Sequence, residues 1–170
     1  MIDINSDMGE LTNLFEDRTY HRLIDHVTSI NLACGGHAGN TIMMTELSKL
    51  AKTKIVRIGA HPGYPDPDNL GREVMNMDPG ELTKTTLEQI RRLGEIVSAE
   101  NGELSHVKPH GALYNQAAKD RAISRSIGEA VLKFNPNLVM IGLAGSVMLH
   151  VWQEMGLHVM GEAFADRTYE

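Results

Sequence analysis

The feature that most constrains the fold is a regular alternation of short apolar segments with longer, helix-like segments. Six runs of apolar or β-branched residues recur, and they cover Ile2 to Ser6, Val27 to Ala33, Ile55 to Ala60, His106 to Pro109, Leu138 to Leu143 and His158 to Ala163. Strands that alternate with helices in this way pair in parallel through right-handed crossovers. The sequence therefore predicts an α/β fold with a mostly parallel sheet, either open or closed into a barrel.

Four of the intervening segments carry helix signals. The clearest begins at Asp78, which can cap the helix, followed by Pro79 in the first turn and by Glu81, which completes a capping box. Two further helices, over residues 123–134 and 148–155, are predicted from apolar stripes with helical spacing, and a fourth, over residues 41–52, follows Gly39 and Asn40.

Length and composition favour one domain over residues 1–170. The net charge of -6 gives no electrostatic basis for binding nucleic acid, and no apolar run approaches the roughly 20 residues of a membrane span. The N-terminus lacks the basic and apolar regions of a signal peptide, and the single cysteine, Cys34, fits a reducing compartment. We therefore expect a cytoplasmic protein with neither nucleic acid nor membrane as a partner.

Ionisable side chains follow the predicted strands. Because the carboxyl ends of parallel strands meet at one rim of the sheet, these side chains should lie close together there. They are Asp7 and Glu10 after the first strand, Cys34 and His37 after the second, His61 after the third, Lys108 and His110 after the fourth, and Asp166 and Arg167 after the sixth. The rim is therefore the predicted active site.

The three rim histidines allow two kinds of chemistry. His37, His61 and His110 can act as general acids or bases, because imidazole titrates near neutral pH. Together with Asp7 they are also candidate ligands for zinc or another divalent ion, although no His-x-x-x-His pair brings two ligands together locally. The sequence leaves both possibilities open.

Structural roles compete with these functional ones. Asp7 can be a turn former, Glu10 a carboxylate at a helix start, and His37 a helix cap. Cys34 can be a small buried hydrophobe, and Asp166 with Arg167 a structural ion pair. Lys108 is harder to explain structurally, because it follows a predicted buried strand and an unpaired buried ammonium is costly.

Nucleotide-binding motifs are missing from the sequence. It contains no P-loop, and the segment from Gly142 to Ser146 lacks the glycine spacing of a dinucleotide fingerprint. No ATP site is therefore predicted in this chain.

Five motifs occur in order along the chain. They are Asn5-x-Asp7-x-Gly9-Glu10, Asn31-x-Ala33-Cys34-Gly35-x-His37-Ala38-Gly39, Ile58-Gly59-Ala60-His61-Pro62-Gly63-Tyr64-Pro65-Asp66, His106-Val107-Lys108-Pro109-His110-Gly111-Ala112-Leu113-Tyr114 and Ala165-Asp166-Arg167-x-Tyr169. Together they resemble the LamB/YcsF family of 5-oxoprolinase A subunits. The resemblance implies a seven-stranded (β/α) barrel of the glycoside hydrolase/deacetylase type. It also implies ATP-dependent opening of 5-oxo-L-proline to L-glutamate together with subunits B and C, with ATP used by the complex.

Opening a lactam requires an activated water, stabilisation of charge on the carbonyl oxygen and a proton for the leaving nitrogen. On this basis we predict that Asp7 is the general base or orients the water, and that Lys108 stabilises the oxyanion or a phosphorylated intermediate. His61 and His110 are predicted to transfer protons or to bind a metal. The predicted substrate-binding residues are Glu10, Asn31, Cys34, His37, Asp166 and Arg167, of which Arg167 suits the substrate carboxylate.

The sequence departs from the family pattern in two ways. Ser6 and Gly36 stand where the family usually has cysteine and phenylalanine. The chain is also shorter than the family, so we expect it to lack the last strand and to leave a sheet edge that another chain would cover. The alternatives are a stand-alone metal-dependent deacetylase or other C–N hydrolase, and an inactive, truncated scaffold that binds substrate.

Overall fold

The computed structural model describes residues 2–165, which form a single six-stranded sheet. The strands are β1 (Asn5–Met8), β2 (Ser29–Ala33), β3 (Arg57–His61), β4 (Leu104–Val107), β5 (Val139–Leu143) and β6 (His158–Glu162). Each strand pairs in parallel with the next along the chain. The α/β class and the parallel pairing predicted from the sequence are therefore confirmed.

Seven α-helices and one 3-10 turn connect the strands. They are α1 (Thr12–Glu16), α2 (Thr19–Leu23), the 3-10 turn (Ile24–His26), α3 (Thr41–Lys54), α4 (Pro79–Ala99), α5 (Gly111–Ala117), α6 (Arg121–Phe134) and α7 (Val147–Glu154). The predicted cap at Asp78 is confirmed, since its side chain accepts hydrogen bonds from the backbone N–H groups of Gly80 and Glu81. Among the described residues, no helix has both the length and the apolar character that a membrane crossing requires.

The sheet is curled into a half-barrel rather than flat. Asn5 on β1 and Glu162 on β6 are five strand spacings apart along the sheet, which is about 24 Å in a flat arrangement. Their side chains nevertheless form a hydrogen bond of 3.3 Å from Asn5 Nδ2 to Glu162 Oε2. The six described strands therefore bring the first and last strands together across the concave face. The seventh strand of a complete barrel stays a prediction.

The two faces of the sheet differ in character. The convex face packs its apolar side chains, such as Ile30, Leu32 and Ile58, against the helices in the hydrophobic core. The concave face is polar, and Gly59 leaves room there for the His106 ring, since a Cβ at residue 59 would lie 2.1 Å from His106 Nε2. A connected layer of polar side chains thus fills the inside of the curl.

All six strands differ from the predicted runs by one to three residues at one or both ends, and the differences in β1 and β4 affect site residues. β1 begins at Asn5 rather than at Ile2, because Ile2 and Ile4 are 85% and 56% exposed and contribute nothing to the core. Asp7 therefore lies within β1, opposite Asn31 of β2, and not in the loop after the strand. β4 ends at Val107, so Lys108 is the first residue beyond it.

Candidate functional site

A cavity of about 260 Å³ opens at the carboxyl ends of the strands. All four predicted catalytic residues line it, namely Asp7, His61, Lys108 and His110. Lys108 and His110 follow β4, whereas His61 is the last residue of β3. The rim site expected from the βα alternation is thus assembled by the curl of the sheet.

Lys108 is buried at the bottom of the cavity with three acceptors around its ammonium group. Nζ lies 3.1 Å from Asn5 Oδ1, 3.2 Å from Asp7 Oδ1 and 3.1 Å from Glu162 Oε2. The Phe164 ring centroid is 5.2 Å away on another side. Two carboxylates thereby compensate a charge that would otherwise be costly to bury. Since an ammonium has three N–H groups, these acceptors use its full donor capacity.

Asp7 has one oxygen in this buried network and one directed to the histidines. Oδ1 accepts hydrogen bonds from Lys108 Nζ and, at 2.7 Å, from Asn31 Nδ2, while Oδ2 lies 3.5 Å from His61 Nε2. Burial tends to raise the pKa of this carboxyl, but His61, Lys108 and Asn31 together hold the pKa well below its usual range. Asp7 is therefore an ionised carboxylate, and its side chain is still 37% exposed to the cavity.

Asn31 lies beneath Asp7 and is completely buried. Its Nδ2 donates to both Asn5 and Asp7, and its Oδ1 accepts a hydrogen bond of 2.8 Å from His106 Nε2. Burial lowers the pKa of His106 to about 4, so this ring is neutral near pH 7. The sequence predicted that Asn31 contacts substrate, whereas the structure places it as a support that orients Asp7.

The protonation pattern of His61 and His110 follows from their backbone partners. His61 Nδ1 lies 2.6 Å from the Lys108 carbonyl oxygen, and His110 Nε2 lies 2.9 Å from the Leu70 carbonyl oxygen. A carbonyl only accepts hydrogen bonds, so both of these nitrogens carry a proton. The two remaining nitrogens, His61 Nε2 and His110 Nδ1, face each other at 3.0 Å.

Glu10 and His37 complete the histidine cluster. Glu10 Oε1 lies 2.9 Å from His110 Nδ1 and 3.6 Å from His61 Nε2. Burial opposes ionisation of Glu10, but His110 and His37 hold its pKa below the usual range. The His37 ring stacks on His110 with centroids 3.7 Å apart, and burial lowers the pKa of His37 to about 4. His37 Nε2 lies 3.5 Å from Glu10 Oε1, and within residues 2–165 neither ring nitrogen of His37 has the geometry of a full hydrogen bond.

Of the other predicted site residues, one does not join this cluster and two cannot be placed relative to it. Cys34 is fully buried in the hydrophobic core, where burial raises the pKa of its thiol to about 12. This position does not support the predicted contact of Cys34 with substrate. It agrees with the alternative that Cys34 is a small buried hydrophobic residue. Asp166 and Arg167 lie outside the described residues.

Glu162 and Arg72 are among the site residues that sequence reasoning missed. Glu162 closes β6, and the alternation from His158 through Met160 places it on the concave face beside Lys108. Arg72 lies in the long loop between β3 and α4 and lines the cavity. The period-2 pattern of β6 was the available signal for Glu162, whereas no pattern in the sequence indicated Arg72.

A curled parallel sheet with carboxylates, histidines and a buried lysine at its carboxyl rim defines an α/β half-barrel protein with a polar rim site. The structure of a lactam utilization protein from Thermus thermophilus is similar, with a TM-score of 0.92 and 42% identity over 99% of this chain and 68% of that one. The chain belongs to the LamB/YcsF family, whose sequence profile matches residues 2–170.

Relatives of known name agree with this assignment. Proteins named as the A subunit of 5-oxoprolinase are 45% identical in Chloroflexus aggregans and 44% identical in Pyrococcus abyssi, each over 99% of this chain. The chain spans about two thirds of the length of these relatives, 67% and 66% respectively. A proposed cellobiose-phosphate cleavage protein from Enterococcus faecalis shows a similar fold only. Its TM-score is 0.58 and its identity 13%, and the match covers 92% of this chain and 65% of that one.

Proposed function

We propose that this chain carries the lactam-opening site of a 5-oxoprolinase, which converts 5-oxo-L-proline to L-glutamate. The names of the relatives, which refer to 5-oxoprolinase and to lactam utilization, support this substrate class. The observation that carries the proposal is the ionised Asp7 carboxylate, fixed by Lys108 and Asn31 at the wall of a small polar cavity. In this proposal the amide binds with a base and a positive charge on one of its sides.

The cavity volume fits a small substrate. At about 260 Å³ it lies just below the range of about 300–1,000 Å³ that is typical of sites for drug-sized ligands. Arg72 and Asn115 line it as well and supply polar groups at its mouth. We assign Arg72 to the substrate carboxylate, because a planar guanidinium binds carboxylates with two parallel hydrogen bonds. This role is the one that the sequence suggested for Arg167.

In the proposed reaction a water molecule attacks the lactam carbonyl carbon and the ring C–N bond breaks. Asp7 Oδ2 takes the proton from the attacking water. Lys108 stabilises the developing negative charge through its own charge, because its three N–H groups are already engaged. The proton that Asp7 has taken then passes to the leaving nitrogen, which becomes the amino group of glutamate.

The remaining parts of the proposal concern the complex. We assign ATP use to partner subunits B and C, in keeping with the absence of a P-loop from this sequence. The relatives are named as one subunit of an enzyme, which supports assembly with other subunits. A cytoplasmic location stays a prediction.

The test is glutamate formation from 5-oxo-L-proline and ATP in the reconstituted complex. We expect Asp7→Asn to lower turnover about 10²- to 10⁴-fold, the usual contribution of a general base. His150→Gln, at an exposed position of α7, is the matched control and should retain wild-type turnover. Wild-type turnover in Asp7→Asn would refute the assignment.

The same assay separates two alternatives. The cluster of histidines and carboxylates favours a stand-alone metal-dependent deacetylase as the second candidate, which would act on acetylated sugars without ATP or partners. Binding of 5-oxo-L-proline with no turnover in the complete complex would instead indicate a substrate-binding scaffold.

A further inference from the structure

Three acceptor atoms converge at the cavity wall without an obvious donor between them. They are His61 Nε2, His110 Nδ1 and Glu10 Oε1. The other nitrogen of each imidazole is committed as a donor to a backbone carbonyl, so only His61 Nε2 and His110 Nδ1, which lie 3.0 Å apart, are left to take a proton or a metal ion. Two lone pairs and a carboxylate oxygen at this distance repel one another unless a proton or a metal cation lies between them.

The spacing of these atoms matches a transition-metal site. Bonds of about 2.0–2.1 Å in tetrahedral geometry place neighbouring ligand atoms about 3.3 Å apart. The three observed separations are 2.9 Å, 3.0 Å and 3.6 Å, which bracket this value. A metal ion can therefore be bound with shifts of only a few tenths of an ångström.

The surroundings of the three atoms resemble those of metal ligands in general. Histidines that bind metals almost always donate their second N–H to a carbonyl or carboxylate, which fixes the ring and its tautomer. The Lys108 and Leu70 carbonyl oxygens fulfil this role for His61 and His110. The fully buried His37 ring stacks on His110 and restricts its rotation.

We propose that Glu10, His61 and His110 bind one divalent transition-metal ion of the zinc class. Two imidazole nitrogens favour such an ion over magnesium or calcium, which prefer oxygen ligands. Three protein ligands leave a fourth position open, as in catalytic zinc sites. Asp7 Oδ2 lies 3.5 Å from His61 Nε2. An ion bound here would polarise a carbonyl or lower the pKa of a bound water.

The test measures metal binding rather than activity, so it is independent of the proposed function. The full chain is stripped with a chelator and dialysed against Zn²⁺, and the bound metal is determined by elemental analysis. We expect one Zn²⁺ per chain, retained when Mg²⁺ is present in excess. Glu10→Gln and His110→Gln should each weaken Zn²⁺ binding at least about 10-fold, whereas His150→Gln should leave it unchanged.

A second measurement needs no variant. X-ray absorption of the Zn²⁺-loaded wild-type chain should show nitrogen and oxygen ligands at about 2.0–2.1 Å, with a histidine signature and no sulfur. Three results would overturn the proposal: no stoichiometric Zn²⁺ in the wild-type chain, displacement of Zn²⁺ by Mg²⁺, or equal binding in the glutamine variants. The first of these would mean that the two rings share a proton. Zn²⁺ binding without glutamate formation in the complex would reject the proposed function alone.

Discussion

Replacing Lys108 with methionine should destabilise the fold, because the carboxylates of Asp7 and Glu162 would lose their buried counter-charge. Methionine has a similar volume, so the main change is the loss of an ammonium with three acceptors 3.1 to 3.2 Å away. Asp7 is 37% exposed and keeps Asn31, so water offsets part of its loss. Glu162 is only 8% exposed. Without the Lys108 ammonium, the hydrogen bond donated by Asn5 Nδ2 is the remaining polar contact of the Glu162 carboxylate among the described residues.

The magnitude follows from this asymmetry. Removing one partner of a buried ion pair typically costs about 3–5 kcal/mol, because the other charge stays buried and uncompensated. We expect Lys108→Met to lose this amount of unfolding free energy. Glu162→Gln removes the stranded charge, so the double variant Lys108→Met/Glu162→Gln should recover about 1–3 kcal/mol relative to additivity.

Urea unfolding of the four proteins, followed by circular dichroism, measures this double-mutant cycle. The two single variants also show whether each fold is intact before the coupling is calculated. A coupling energy below about 0.5 kcal/mol, the range expected for independent sites, would refute the account of Lys108 and Glu162 as a buried pair.

Three further predictions concern the residues around the site. Folding lowers the pKa of His106 to about 4 from its usual value near 6.5, so the folded wild type binds the proton less readily than the unfolded chain. Its free energy of unfolding should therefore fall as pH falls from about 6.5 to about 4, and this group contributes up to about 1.4 kcal/mol per pH unit. His106→Gln should show a shallower loss in urea unfolding between pH 7 and pH 5, and an unchanged slope would contradict the buried neutral ring. Gly59→Ala should lower the free energy of unfolding by about 1–3 kcal/mol, measured by thermal unfolding, because the added Cβ would meet His106 Nε2. Wild-type stability of this variant would show that the polar layer tolerates the methyl group. Cys34→Ala should retain turnover in the glutamate assay, whereas loss of turnover with an intact fold would restore the predicted substrate contact.

The sequence predicted the strands and the rim because both depend on local patterns. Apolar runs alternating with capped helices define the parallel order, and parallel order alone brings Asp7, His61 and Lys108 to one edge. The start of β1 was misplaced because Ile2 and Ile4 are apolar but exposed, and hydrophobicity alone does not report burial.

The finer arrangement of the site was beyond the sequence because it depends on curvature and on backbone groups. The contact of Lys108 with Glu162 requires β1 and β6 to approach across the curl, which no local pattern encodes. The tautomers of His61 and His110 are set by the carbonyl groups of Lys108 and Leu70, and the positions of these carbonyls exist only in the folded loops.

The contact that joins β1 to β6 has a consequence for the order of folding. Asn5 and Glu162 are separated by 157 positions along the chain, so their contact is highly non-local, and such contacts form late. While a ribosome is still extending the chain, strands β1 to β5 can pair without Glu162, and Lys108 then lacks one of its two counter-charges. The electrostatic environment of the candidate site is therefore completed only when β6 emerges and Glu162 reaches Lys108.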